Sequence, residues 1–315
     1  MNTTYTELAE QYVAMRRGLG YRLERQTTYL RSFAAFVDRC GQDGRVPLAL
    51  TVQWATTTRS SDPHNPARRL SAVQGFLRHL AALDGATEVP PPGLLGPSHH
   101  RTPPHIYSDQ EITSLLRAAA ALSPRGGLRP DCYVTLFAVL ASTGLRISEA
   151  LALARDDVDL TEGILTVHAG KGGKSRLVPL HPSALEPLGA YAARRDALAG
   201  SGSGAFFRTD RDEQLTYAAV RSNFIRLRRQ LGWDREGRAR RPRIHDLRHR
   251  MVVQRVLVWH AEGADVDAKL TALATYLGHG LVSDLYWYFS VTPELMNVVA
   301  ERFQAFGEQL SGGAR

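Results

Sequence analysis

Four short stretches of this chain place cations, imidazoles and one phenol at spacings that could serve a reaction. The first is Ser142-Thr143-Gly144-Leu145-Arg146-Ile147-Ser148-Glu149, in which a glycine turn follows an apolar helix and Arg146 opens the next one. Glu149 lies three residues on and on the same face, a spacing that by itself describes an ordinary surface ion pair. The second, Gly170-Lys171-Gly172-Gly173-Lys174-Ser175-Arg176, is a glycine-rich turn carrying two lysines and an arginine. Its glycines permit left-handed backbone and close approach, and its cations suit a phosphate. It is shorter than a P-loop and lacks the helix that follows one, so nucleotide binding is discounted. The third, Ile244-His245-Asp246-Leu247-Arg248-His249, puts His245 and Arg248 on one face of a helix, with His249 one turn from His245. Histidines at that spacing also chelate zinc, but Arg248 between them repels a cation and no third ligand stands nearby; no metal is expected. The fourth is Leu277-Gly278-His279, followed nine residues later by Tyr288 within Tyr286-Trp287-Tyr288-Phe289, an aromatic run that would ordinarily be core.

These stretches need a frame. Residues 1–85 read as a helical bundle. Thr4 and Glu7 form a capping box ahead of Leu8, Tyr12, Met15 and Leu19 at helical spacing. A second helix holds Tyr29, Leu30, Phe33 and Val37 and stops at Gly41, and a short one holds Val52 and Trp54. The fourth opens at Asn65-Pro66, carries Leu70, Val73, Leu77 and Leu80 on one face, and ends near Gly85. Six prolines between Ala86 and His105 predict an extended linker over 86–105. Ser108 and Glu111 then cap the first helix of a domain spanning 106–315. That domain is mostly helical, with a β-hairpin formed by 164–168 and 176–180 around the glycine turn. The expected fold class is mainly α with a small β element, an N-terminal helical bundle joined to an α+β domain.

Charge narrows the partners. The chain carries a formal +8, and residues 221–250 alone hold eleven arginines against three acids, an equal excess. A concentrated basic stretch is the footprint of a nucleic-acid binder. Arginine dominates so far that only three lysines occur, Lys171, Lys174 and Lys269, and two of them share the hairpin turn. Arg68, Arg69 and Arg78 on the fourth helix, Lys174 and Arg176 at the hairpin, and Arg243 are candidate DNA contacts. Cys40 and Cys132 are too few and too far apart for a disulfide framework and read as small hydrophobes in a reducing cytoplasm. Neither a signal peptide nor an apolar run of membrane-spanning length is evident, so no membrane association is expected.

In this order and at these separations the four motifs resemble those of the tyrosine recombinases, the phage integrases and their chromosomal relatives. The resemblance covers the whole second domain, and the bundle matches the family's SAM-like core-binding domain in size and position. It implies that Arg146 is the first catalytic arginine, supported by Glu149, and that Lys171 is the hairpin lysine, with Lys174 the second choice. His245 and Arg248 match the H-x-L-R pair, His279 the histidine of the LGH motif, and Tyr288 the nucleophile. Where the family often has a Ser/Thr-rich stretch, this chain has Gly280-Leu281-Val282-Ser283-Asp284-Leu285. Tyr286 is a near neighbour, but residues two apart on a helix point about 200° apart, and the spacing favours Tyr288.

The implied chemistry explains the residue types. In-line attack on a phosphodiester loads charge onto the non-bridging oxygens, which the planar guanidiniums of Arg146 and Arg248 suit, with His279 as a further donor. A phenol with a pKa near 10 needs an acceptor, for which His245 is the candidate base. The departing 5′-oxygen needs a proton that lysine gives and arginine does not, a reason for Lys171 in an arginine-rich chain. A 3′-phosphotyrosine keeps the energy of the broken link, so rejoining needs no ATP, and arginines carry the charge without a cofactor. The resemblance further implies double-stranded DNA as substrate, a mobile-element setting, and accessory recombination proteins. Thr292-Pro293 reads as a helix start with Val298, Val299, Phe303 and Phe306 on one face; the resemblance implies that this C-terminal helix joins a homotetramer, while its apolar face suits packing on its own domain equally well. Two other readings are a type IB topoisomerase-like enzyme working as a monomer and an inactive accessory DNA-binding protein; against the latter, all six expected positions are filled.

Overall fold

The computed structural model describes residues 3–21, 23–42, 44–98, 103–168, 175–199, 204–234, 241–289 and 296. The chain divides into two compact units, Met1–Thr102 and Pro103–Arg315.

In the first unit α1 (Tyr5–Gly18), α2 (Glu24–Arg39), α3 (Leu48–Thr56) and α4 (Asn65–Asp84) surround a core of Phe33, Val37, Trp54, Val73, Phe76 and Leu77. The Thr4–Glu7 capping box forms as expected, and α4 ends on left-handed Gly85. The buried stripe of α1 is Tyr5, Ala9, Tyr12 and Val13, while Met15 and Leu19 are exposed. Leu19 falls on the C-cap, past the last helical turn, and Met15 lies 60° off the Tyr12 direction.

The proline-rich segment, expected as an extended spacer, is fastened to this bundle over much of its length. The Thr87 hydroxyl accepts from the Val46 amide, Glu88 accepts from the Leu48 amide, Gln74 donates to the Pro90 carbonyl, and Leu95 packs on the core. Proline lacks an amide but keeps its carbonyl, which side chains of the bundle can reach.

The second unit is built on α6 (Leu128–Thr143), hydrophobic on nearly every side and accordingly buried on nearly every side. Packed against it are α5 (Asp109–Ala120), α8 (Leu185–Ala199) and α10 (Asp246–Ala261). The short α7 (Ile147–Ala152) follows it, and α9 (Tyr217–Gln230) closes the core with Phe224 against Phe137. A second core joins α10 to α11 (Val266–Leu277) and α12 (Ser283–Phe289) through Met251, Val252, Leu273, Leu277 and Leu285. The fold is thus mainly helical, as expected.

The expected hairpin is present as β2 (Ile164–Val167) and β3 (Arg176–Pro179), with a two-residue edge strand, β1 (Val158–Asp159), completing an antiparallel sheet in the order β1-β2-β3. Its register sets Val178 opposite Leu165 and Arg176 opposite Val167. Facing residues of an antiparallel pair project to the same side, so Arg176 points inward with three buried aliphatic residues, while Leu177 is 61% exposed.

The entry to this unit is tied to α10. The hydroxyl of buried Tyr107 donates to the Arg243 carbonyl, and Arg250 donates to the Tyr107 carbonyl and pairs with Asp109. Phe137, wholly buried between Tyr133 and Phe224, anchors the main core. Phe137→Ala is expected to lower unfolding stability by about 3–5 kcal/mol, read as a shift in urea midpoint with a retained slope.

Candidate active site

The site begins where α6 stops. Gly144 caps it with φ +66, and a Cβ there would lie 3.1 Å from Leu277 and 3.3 Å from the Met251 sulfur. Glycine therefore satisfies both the backbone conformation and the close approach of α10 and α11. Its carbonyl, freed by the turn, accepts from Arg248 Nη1 at 2.6 Å.

Two residues on, Arg146 takes the N-cap of α7, and its amide and Nη1 donate to the two Glu149 oxygens at 2.9 and 2.7 Å. The pair expected from the i,i+3 spacing forms, but it is not a surface pair: Glu149 is 6% exposed. Arg176 reaches the same carboxylate from β3, Nη2 at 2.9 Å and Nη1 at 3.2 Å, while its Nε donates to the Tyr276 carbonyl. Burial alone would raise the Glu149 carboxyl, but the hydrogen bonds from Arg176 and Arg146 hold it down at about 2. Arg176 also lies against Gly278, where a Cβ would meet its Nη1 at 2.8 Å. As a candidate DNA contact Arg176 is thus corrected: its guanidinium is consumed inside the protein, locking α7, β3 and the end of α11 together.

Arg248, 2% exposed on α10, sits at the centre. Besides Gly144 it donates from Nη2 to the Leu277 carbonyl at 2.8 Å, and the same nitrogen lies 2.7 Å from His279 Nε2. Burial disfavours its charge, and the nearby Tyr288 phenol works the other way. Its helix begins one residue later than the motif suggested, with His245 at the N-cap. Buried Asp246 accepts from the Arg243 amide and pairs with the Arg243 side chain.

His279 follows Gly278, the left-handed cap of α11. A guanidinium only donates, so Nε2 accepts and the ring N–H is on Nδ1, which faces Asp284 at 3.6 Å. Burial first, then Arg248 and Arg146, bring its pKa to about 4, and the ring is neutral near pH 7. The expected phosphate donor therefore presents an acceptor toward Arg248 in this arrangement.

Tyr288, on α12, is 4% exposed. Its ring meets His249 at 4.7 Å between centroids and His279 at 6.0 Å. His249 in turn meets His245 edge-on at 5.0 Å, so the histidine packed on the phenol from the His-Asp-Leu-Arg-His stretch is the second and not the first. His245 is exposed, and its pKa is lowered by desolvation and by Arg248.

Other expected residues are distributed as follows. Lys171, Lys174 and the side chain of Tyr286 lie outside the described residues, as does the 292–306 segment apart from Met296. Arg69 stacks on Trp54 at 4.1 Å and donates to its carbonyl, an internal role in place of the expected DNA contact. Arg68 pairs with Asp62, Arg243 with Asp246, and Arg78 is exposed. The basic stretch is divided: Arg228, Arg248 and Arg250 turn inward to protein partners, whereas Arg221, Arg226 and Arg229 stay exposed on α9. Sequence reasoning missed Asp246, Asp284 and the contact of His249 with Tyr288.

Residues 108–294 match the model of the phage integrase family. The chain belongs to this family, the tyrosine recombinases. A putative integrase/recombinase of Sinorhizobium fredii is 35% identical over 307 residues, covering 96% of this chain and 98% of the relative. Among solved structures, the Tn1549 transposon integrase in complex with transposon right end DNA shares the fold of this recombinase, with a TM-score of 0.70, 15% identity, and 95% and 99% of the two chains covered. A λ integrase tetramer bound to a Holliday junction aligns with a TM-score of 0.61 and 18% identity, over 89% and 78% of the chains. Among the described residues no helix is long and apolar enough to cross a membrane.

The Glu149 clamp carries a pH signature. A carboxyl held near 2 instead of 4.5 contributes stability that is complete above 4.5 and fades as pH falls toward 2. About 3 kcal/mol of unfolding free energy should disappear across that window in the wild type. Glu149→Gln should be less stable at pH 7 and lose less on acidification, as read from denaturant unfolding at each pH.

Proposed function

We propose that this recombinase cuts and rejoins DNA strands through a covalent 3′-phosphotyrosine formed by Tyr288. The observation that carries the reading is the packing of buried Tyr288 on His249 and His279, the latter 2.7 Å from the guanidinium of buried Arg248, within one chain. A phenol held at a preorganised guanidinium is a nucleophile already beside the group that would bind the phosphate.

In this reading Arg146 and Arg248 take the non-bridging oxygens. Both are held from behind, Arg146 by Glu149 and Arg248 by two backbone carbonyls, so little reorganisation is needed as charge develops. His279 releases its contact with Arg248 and joins as a donor when the anionic phosphate favours its protonation. His245, neutral and exposed, is the candidate base for the phenol proton, and Lys171 protonates the 5′-oxygen. Phosphate contacts away from the reacting group are assigned to Arg68 and Arg78 in the helical unit, to Lys174 and Arg243, and to the exposed α9 arginines. The helical unit serves as the core-binding clamp. A homotetramer on DNA is supported by the likeness to the λ integrase tetramer bound to a Holliday junction, and the C-terminal segment is the element proposed to join it. A transposon setting is supported by the likeness to the Tn1549 integrase, and the cytoplasm is the proposed compartment.

The test uses nicked duplexes from the ends of the gene's own element, from which the cleaved fragment diffuses away. Incubated without metal or ATP, wild type and Tyr286→Phe should give an SDS-resistant protein–DNA band and Tyr288→Phe none. A band that survives in Tyr288→Phe would remove the nucleophile assignment. DNA shifting without any band in wild type would favour an accessory binding role.

A further inference from the structure

One group in the site has no part in the chemistry above. His249 is 6% exposed, and its Nδ1 is buried without a hydrogen-bond partner. A buried nitrogen left unpaired costs stability, and a hydrocarbon of similar shape at the same place would not incur that cost. Packing alone therefore gives no reason for histidine at this position.

The location of the ring supplies one. His249 stands between His245 and Tyr288, in edge-to-face contact with the first and tilted at 46° against the second. It lies next to Arg248 in the chain and shares the helix that presents Arg248 to Tyr288. Its pKa is brought to about 3, by burial first and then by the neighbouring His245, Arg243 and Arg248. The ring is therefore neutral, and with its proton on Nε2 the buried Nδ1 is a bare lone pair. Moving onto a phosphate in line, the phenol must leave its resting place beside His279 and the Arg248 guanidinium.

We propose that His249 is a positioning residue for the nucleophile: its ring sets where the Tyr288 phenol rests, and its spare Nδ1 accepts from the hydroxyl as the phenol moves from Arg248 onto the phosphate. This rests on Tyr288 being the nucleophile. The hydrogen bond orients the hydroxyl lone pair toward phosphorus, and the proton then leaves to the base already assigned. The unpaired nitrogen of the resting site is the acceptor kept for that passage.

The experiment compares wild type, His249→Phe and His249→Asn in the full-length protein on the nicked duplexes. Rates of covalent-complex formation are read beside DNA affinity and melting temperature. Phenylalanine keeps a ring against Tyr288 and removes the unpaired nitrogen. Asparagine gives up the ring but offers an amide near the Nδ1 position. His249→Phe should cleave on the order of 100-fold slower than wild type, as a misplaced nucleophile does, with DNA affinity unchanged and a melting temperature no lower. His249→Asn should cleave on the order of 10-fold faster than His249→Phe despite its poorer packing. Wild-type cleavage by His249→Phe would overturn the role of the nitrogen, as would His249→Asn cleaving no faster than His249→Phe. A wild type that forms no Tyr288-linked band would sink the recombinase reading and this inference together, and that result is visible before any variant is compared.

Discussion

A guanidinium buried to 2% exposure must have its donors satisfied, and for Arg248 the protein meets this demand with backbone. The two carbonyls it uses, Gly144 and Leu277, come from the C-cap of α6 and the last residue of α11. Helix ends are where carbonyls go unused, so the arginine caps two helices at once while its charge stays beside Tyr288. Much of the local architecture follows from that arrangement. Both helices must end at the same place, both ends are followed at once by functional residues, and a left-handed glycine stands at or next to each carbonyl. The TGLR and LGH motifs are two copies of one solution, a helix stopped short so that its final carbonyl can face a cation.

Glu149 holds the periphery of that centre. One carboxylate receives Arg146 and Arg176, and Arg176 continues to the Tyr276 carbonyl. A buried pair of this kind contributes modestly to net stability, since desolvation offsets much of the attraction. Its larger effect is geometric, because planar bidentate contacts fix the hairpin, α7 and the end of α11 in one register. The start of β3 is thereby rooted at the base of the site.

How much of this was readable from sequence depended on the range of the determining interaction. The capping boxes at Thr4 and Ser108, the stop at Gly85 and the β2–β3 hairpin depend on residues a few positions apart, and all were legible. Arg146, Arg248 and His279 were legible as a cluster because each stands within three residues of a glycine or acid of its own motif, Glu149, Asp246 and Gly278. Arg176 was misread because a charge near a turn suggests solvent, while the strand register that turns it inward depends on pairing with Val167. Arg69 failed for the same reason, its partner Trp54 lying on another helix. The proline-rich segment carries the composition of a spacer, and its anchors are polar groups of the bundle that composition does not reveal. Two residues of β1 are too few for any periodicity. His249 was visible as a histidine one turn from His245, but its contact with Tyr288 requires the packing of α12 on α10.

The tie between Tyr107 and α10 gives the second unit an unusual point of attachment. Chain entering the second unit is held at His105 by Glu111 of α5 and at Tyr107 by the carbonyl of Arg243 and the side chain of Arg250, two residues that bracket His245, Arg248 and His249. Pull along the incoming chain is therefore shared between α5 and the helix holding the site's central arginine.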